Sequence, residues 1–140
     1  MRNSGRTFLL LILVVILIAG GGAAFVFLRG HHRDKAPEKT YSLALADLTV
    51  NLADSDRPHH LSASIALAIK GPDPEKVAAE CDPQIRDAVL MVMSQHAYHE
   101  LLSTEGKQAL KEQIGAEVGK ALAERKVTVE DVLFTTFLMD

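Results

Sequence analysis

Hydrophobic and polar positions divide the chain into three stretches. Residues 8–28 read FLLLILVVILIAGGGAAFVFL with no charged side chain, and as a helix rising about 1.5 Å per residue they would be roughly 30 Å long, the thickness of a bilayer's hydrocarbon. Residues 29–40 are polar and lack any apolar period, which reads as a juxtamembrane linker. From residue 41 the periods of strand and helix appear in turn, as expected of one folded domain reaching residue 140. The predicted organisation is therefore a short tail over residues 1–7, a membrane helix over 8–28, a linker over 29–40 and a domain over 41–140.

Within the domain, Tyr41, Leu43 and Leu45 share one parity while Leu48, Val50 and Leu52 share the other. This predicts one long strand whose faces exchange at a bulge near Ala46-Asp47. Asp54, Ser55, Asp56 and Pro58 end it, and Leu61, Ala63, Ile65, Leu67 and Ile69 then alternate with Ser62, Ser64, Ala66, Ala68 and Lys70, a second and antiparallel strand. Gly71-Pro72-Asp73-Pro74 starts a short helix, with Asp73 as N-cap and Pro74 at the first helical position. Asp82-Pro83 repeats the device and predicts a second helix carrying the stripe Ile85, Ala88, Val89, Val92 and Met93. After a break around Ser103-Thr104, Leu110, Ile114, Val118, Ala121 and Leu122 form another stripe that ends near Lys126, with Lys107, Lys111, Glu112, Lys120 and Glu124 toward solvent. The tail VTVEDVLFTTFLMD is rich in β-branched and aromatic residues and predicts a last strand. The order β-β-α-α-β, with strands segregated from helices, predicts an α+β domain in which a helix pair covers one face of a small sheet.

Composition narrows the function classes. A net charge of −3 over 140 residues, with no clustered basic face, argues against nucleic-acid binding. The lone Cys81 has no intramolecular disulfide partner and reads as a small filler near a helix start. Neither a glycine-rich phosphate loop, a nucleophile elbow nor a His-Glu-x-x-His sequence is present, so no catalytic, cofactor-binding or metal residue and no small-molecule substrate is expected. His31-His32 lies in the linker, and His59-His60 in a hairpin loop reads as a surface pair. His96 and His99 could share a helical face, but two ligands without a third make a weak metal site. They are expected at the surface beside Tyr98. Arg86 and Asp87 fall at the predicted start of the second helix, where Asp87 would favour the exposed amides and Arg86 would face water or a partner. Glu105-Gly106-Lys107 reads as the entry to the long helix, with Gly106 permitting a close approach.

Arg2 and Arg6 precede the apolar run, and Ala19 to Ala24 are small enough for a cleavable signal peptide. Phe25-Val26-Phe27-Leu28 carries the run on to Arg29 and Arg33, which favours an uncleaved anchor. Lys35 and Lys39 add to the second flank, so charge alone leaves the orientation open. Gly20, Gly21 and Gly22 suit close packing against another membrane helix, or are glycines tolerated in a lipid-facing one.

The assembled pattern resembles the flagellar basal-body-associated FliL family. The resemblance rests on the single amino-terminal span, the linker, Val50-Asn51-Leu52 and the alternating strand from Leu61 to Lys70. It rests further on three blocks in order: Ile85-Arg86-Asp87, then Leu102-Ser103-Thr104-Glu105-Gly106-Lys107 with Leu110-Lys111, then Val132-Leu133-Phe134-Thr135-Thr136-Phe137. Gly119 stands where that family commonly has asparagine, and Met139-Asp140 where glutamine often closes the last strand. The resemblance implies a stomatin-like (SPFH-like) domain in the periplasm, anchored in the bacterial inner membrane with its amino terminus cytoplasmic. It also implies a non-enzymatic scaffold of the flagellar basal body that forms a homo-oligomeric ring, meets the stator complex and supports flagellar rotation, motility and chemotaxis. Arg86, Asp87, Gly106, Lys107, Phe134, Thr135 and Phe137 are its candidate interaction residues. A last apolar strand suggests edge-to-edge pairing with a neighbour, so that removing residues 134–140 would abolish self-association. A membrane-anchored assembly or folding factor for envelope proteins, and a small hydrolase or metal sensor using His96 and His99, are the alternatives.

Overall fold

A computed structural model describes residues 37–140. The apolar run over 8–28, with Gly20, Gly21 and Gly22, lies outside the described residues, as does most of the linker. Among the described residues no helix is long and apolar enough to cross a membrane.

Strands β1 (Lys39–Asn51), β2 (His60–Gly71) and β3 (Thr128–Met139) form an antiparallel sheet in the order β1-β2-β3. Helices α1 (Pro74–Ser94) and α2 (Thr104–Leu122) follow β2 and precede β3. Short 3-10 turns at Glu100–Leu102 and Ala123–Arg125 open and close the second helix. The domain is thus α+β with the expected order. Strict alternation along β2 sends Leu61, Ala63, Ile65, Leu67 and Ile69 into the core. Ile85, Val89, Val92 and Met93 of α1 and Leu110, Ile114, Val118 and Leu122 of α2 complete that core. Burying each such side chain contributes about 1.5–3 kcal/mol. Ala121, expected in the second stripe, is exposed.

The parity switch in β1 is real. Pairing slips between Leu45↔Ile65 and Leu48↔Ala63, so Ala46 and Asp47 together oppose Ser64, and Asp47 takes the left-handed conformation with φ 56°. Without that extra residue Leu48 and Val50 would leave the core face. Aspartate tolerates this region better than most residues because its short polar side chain bonds locally.

Two helices were expected to divide at Asp82-Pro83, but one helix of 21 residues runs through, with Pro83 inside it. The proline removes the bond to the Ala79 carbonyl. Ala79 and Pro83 both lie on the exposed side, where a carbonyl without its helical partner is open to solvent, while Ala78, Cys81, Ile85 and Val89 keep an unbroken buried stripe. Asp82 is held by Arg86, whose Nε donates to Oδ2 at 2.9 Å. Pro74 occupies the helix start as expected, but the Asp73 side chain makes no capping bond. Cys81 is buried mid-helix rather than near a helix start, a free thiol within the core.

Asp47→Val is expected to lower unfolding free energy by about 1–2 kcal/mol, because a β-branched residue is strained at positive φ. Asp47→Gly should leave stability unchanged, as read by denaturant unfolding of the detergent-solubilised chain.

Candidate interaction surface

Phe134 and Phe137 lie three residues apart, a spacing that places side chains on opposite faces of a regular strand. The structure brings them together. Pairing in β3 slips between Ser64↔Thr136 and Ile65↔Phe134, leaving Thr135 as an inserted residue whose hydroxyl donates to the Ser64 carbonyl at 3.1 Å. Both rings therefore face the helices and meet edge to face at 4.9 Å. A second slip, at Glu130, likewise puts Val129 and Val132 on one face.

Lys107 and Lys111, one turn apart on α2, lie above these rings. Lys107 Nζ is 5.5 Å from the centre of Phe137 and Lys111 Nζ 5.9 Å from that of Phe134, distances at which an ammonium is drawn to the negative face of a ring. Three elements of local chemistry place the lysines. Ser103 caps α2 by accepting from the Gly106 amide at 3.0 Å, and its own hydroxyl donates to the Glu100 carbonyl at 3.3 Å. A Cβ at Gly106 would overlap that same Glu100 carbonyl, so the 3-10 turn can pack onto the first turn of the helix only over glycine. Gly106 thus serves the fold by setting where Lys107 points.

The other two candidates do not join this group. Arg86 is tied to Asp82. Asp87 lies well inside α1, far from the exposed amides of a first turn, because the helix begins at Pro74. It lines a groove of about 810 Å³ between α1 and α2 with Met91, Gln113 and Lys120.

The outer face of the sheet presents small side chains, among them Ala44, Ser62, Ser64, Ala66 and Ala68, beside Leu133 and Leu138 of β3. Leu133 is 48% and Leu138 65% exposed. Only one edge of β3 is paired, to β2, from Lys70↔Thr128 to Leu61↔Met139. Among the described residues its other edge has no strand partner. Since Phe134, Phe137 and Met139 pack against the core and residues 134–139 pair with Leu61 to Ile65, deleting residues 134–140 would strip β2 of a neighbour and test folding rather than pairing.

His60 and His99 are exposed, as a surface reading expects, but His59 and His96 are buried. α1 ends at Ser94, so His96 and His99 occupy a turn and share no helical face. His96 is buried, with Nε2 3.1 Å from Gln113 Oε1 and Nδ1 3.3 Å from Glu100 Oε2. The Ala97 amide donates to the Glu100 carboxylate and holds its pKa below the ordinary value, with the nearby His96 adding to the effect. His60 is exposed, but His59 is buried and stacked on Tyr98 at 4.3 Å. This arrangement joins residues 44 apart through the Tyr98 amide, which donates to Asp54 Oδ2 at 2.9 Å. Asp54 and Asp56, shortly before His59, are the trace of it in the sequence.

A domain built around a capped, glycine-packed helix entry and a bulged terminal strand can be compared with known proteins over its whole length. The profile of the family described as "Flagellar basal body-associated protein FliL" matches residues 42–139. The chain belongs to the FliL family. A relative named Flagellar protein FliL in Escherichia coli (strain K12) is 32% identical over 98 residues, which covers 69% of this chain and 62% of the relative. Another, in Aquifex aeolicus (strain VF5), is 29% identical over 90 residues, covering 64% and 55%. The chain therefore spans less than two thirds of the length of these relatives. All three family blocks fall within the match: one on α1, one at the entry to α2 and one on β3.

Gly106→Ala is expected to destabilise the domain by about 2–3 kcal/mol, since the methyl meets backbone that cannot turn aside. Gly119→Ala should be neutral or slightly stabilising, as a Cβ there meets nothing within 4 Å and alanine favours the helix. Thermal unfolding of both variants distinguishes the two.

Proposed function

We propose that this protein is a non-enzymatic scaffold of the flagellar basal body, anchored in the inner membrane by residues 8–28, whose domain self-associates and meets the stator units to support rotation. The observation that carries this reading is the family match over residues 42–139, nearly the whole of the folded domain. The uncharged run over residues 8–28 supports the anchor. In this reading the amino terminus is cytoplasmic and the domain, a stomatin-like fold, lies in the periplasm.

The surface described above supports an assembly role. A face of small side chains beside two exposed leucines, next to an unpaired strand edge, suits lateral packing of identical domains. Confinement to the membrane plane raises the effective concentration of such neighbours. Residues 107, 134, 135 and 137 would then build the shelf behind the pairing edge, while Asp87 and the α1–α2 groove face another direction. Gly20, Gly21 and Gly22 permit close approach of a stator helix within the bilayer.

The test is a pull-down of detergent-extracted full-length protein from motile cells, compared with a chain in which residues 8–28 are replaced by an unrelated span. Stator subunits should be recovered with the native chain and depleted with the exchanged span. Cross-linked samples without stator subunits, enriched instead in other envelope proteins, would overturn the proposal.

A further inference from the structure

The connection from β1 to β2 and the turn after α1 meet at the end of the sheet opposite Lys39, where the chain enters the domain. They are joined by the Ala53 amide, which donates to the His96 carbonyl at 2.9 Å, and by the bond from Tyr98 to Asp54. Between them is a cleft of about 780 Å³ lined by Asp54, Asp56, Arg57, His59, Tyr98 and His99. Asp54, Asp56 and His59 each offer a ligand atom there, all within 4.8 Å of one another.

His59 is 6% exposed, and its ring is fixed by the near-parallel stack on Tyr98, with 17° between the planes. Its Nδ1 is buried and has no hydrogen-bond partner, although Asp54 Oδ2 lies 3.3 Å away. A buried imidazole nitrogen left in this way costs stability unless something engages it. The chemistry around it is that of a cation ligand: two carboxylates and one imidazole, with a side open to the cleft.

We propose that Asp54, Asp56 and His59 bind a first-row divalent cation, Zn²⁺ being the ion best matched to this donor set. Arg57 is the resident competitor. Its Nε donates to His59 Nε2 at 2.9 Å, which keeps the proton of the neutral ring on Nδ1. Ligation through Nδ1 moves that proton to Nε2, with no net release, so the exposed Arg57 side chain turns away as the ion takes over its positive charge. An ion seated here clamps the loop from Ala53 to His59 at the far end of the domain.

The experiment titrates Zn²⁺ into the detergent-solubilised full chain, purified without a histidine tag and carrying His31→Ala and His32→Ala to silence the linker pair, in competition with a chromophoric chelator. One equivalent should bind per chain. Asp56→Asn and His59→Gln should each weaken binding roughly tenfold or more, and Arg57→Gln should strengthen it several-fold. Melting temperatures without metal confirm that each variant is folded; Asp56 is exposed, so its variant carries the test even where the His59 variant unfolds. Unchanged affinity in Asp56→Asn, or uptake below about a tenth of an equivalent by the parent chain, would overturn the proposal.

Discussion

Burial of one face of β2 is the constraint on which the rest of the domain depends. Five apolar side chains from Leu61 to Ile69 point into a core completed by both helices, and each neighbouring strand must match that face over its full length. Neither does so as a regular strand. β1 corrects its parity with Ala46-Asp47 and β3 with Thr135, and both corrections fall at the level of Ser64. Two bulges on either side of one central residue increase local twist, and they allow the apolar residues of β1 and β3 to reach the core from mismatched spacings.

The same constraint orders the candidate surface. Because Thr135 is inserted, Phe134 and Phe137 share a face and can lie beneath Lys107 and Lys111. Because Gly106 admits the Glu100 carbonyl, α2 starts where those lysines reach the rings. Leu133 and Leu138 are left on the opposite face among small side chains, exposed beside the edge that has no strand partner among the described residues. The family's helix-entry block and strand block thus meet in one place, although they are separated along the chain by the length of α2.

Period and turn chemistry made most of this legible. Alternation located β2, and the change of parity located the β1 bulge, because a period of two admits no other explanation. What the sequence hid were places where tertiary packing outweighed local preference. Pro83 looked like a helix start but sits in a continuous helix, since the buried stripe on its far side is worth more than one solvent-facing hydrogen bond. The burial of His59 and His96 came from contacts between loops more than forty residues apart, which no local pattern records. The Thr135 bulge escaped notice because Phe134 and Phe137 read equally well as alternating partners of different faces.

We propose that the outer face and the edge of β3 that has no strand partner among the described residues serve assembly at the flagellar basal body. This proposal is tested most directly by measuring single-motor rotation under load in cells whose chromosomal copy carries Leu133→Glu with Leu138→Glu. Both positions are exposed, so the fold should be retained while two charges enter the packing face. The account predicts slower rotation under load, with filament number unchanged and the variant chain present at normal levels. Rotation indistinguishable from wild type, with the variant still located at the basal body, would contradict it.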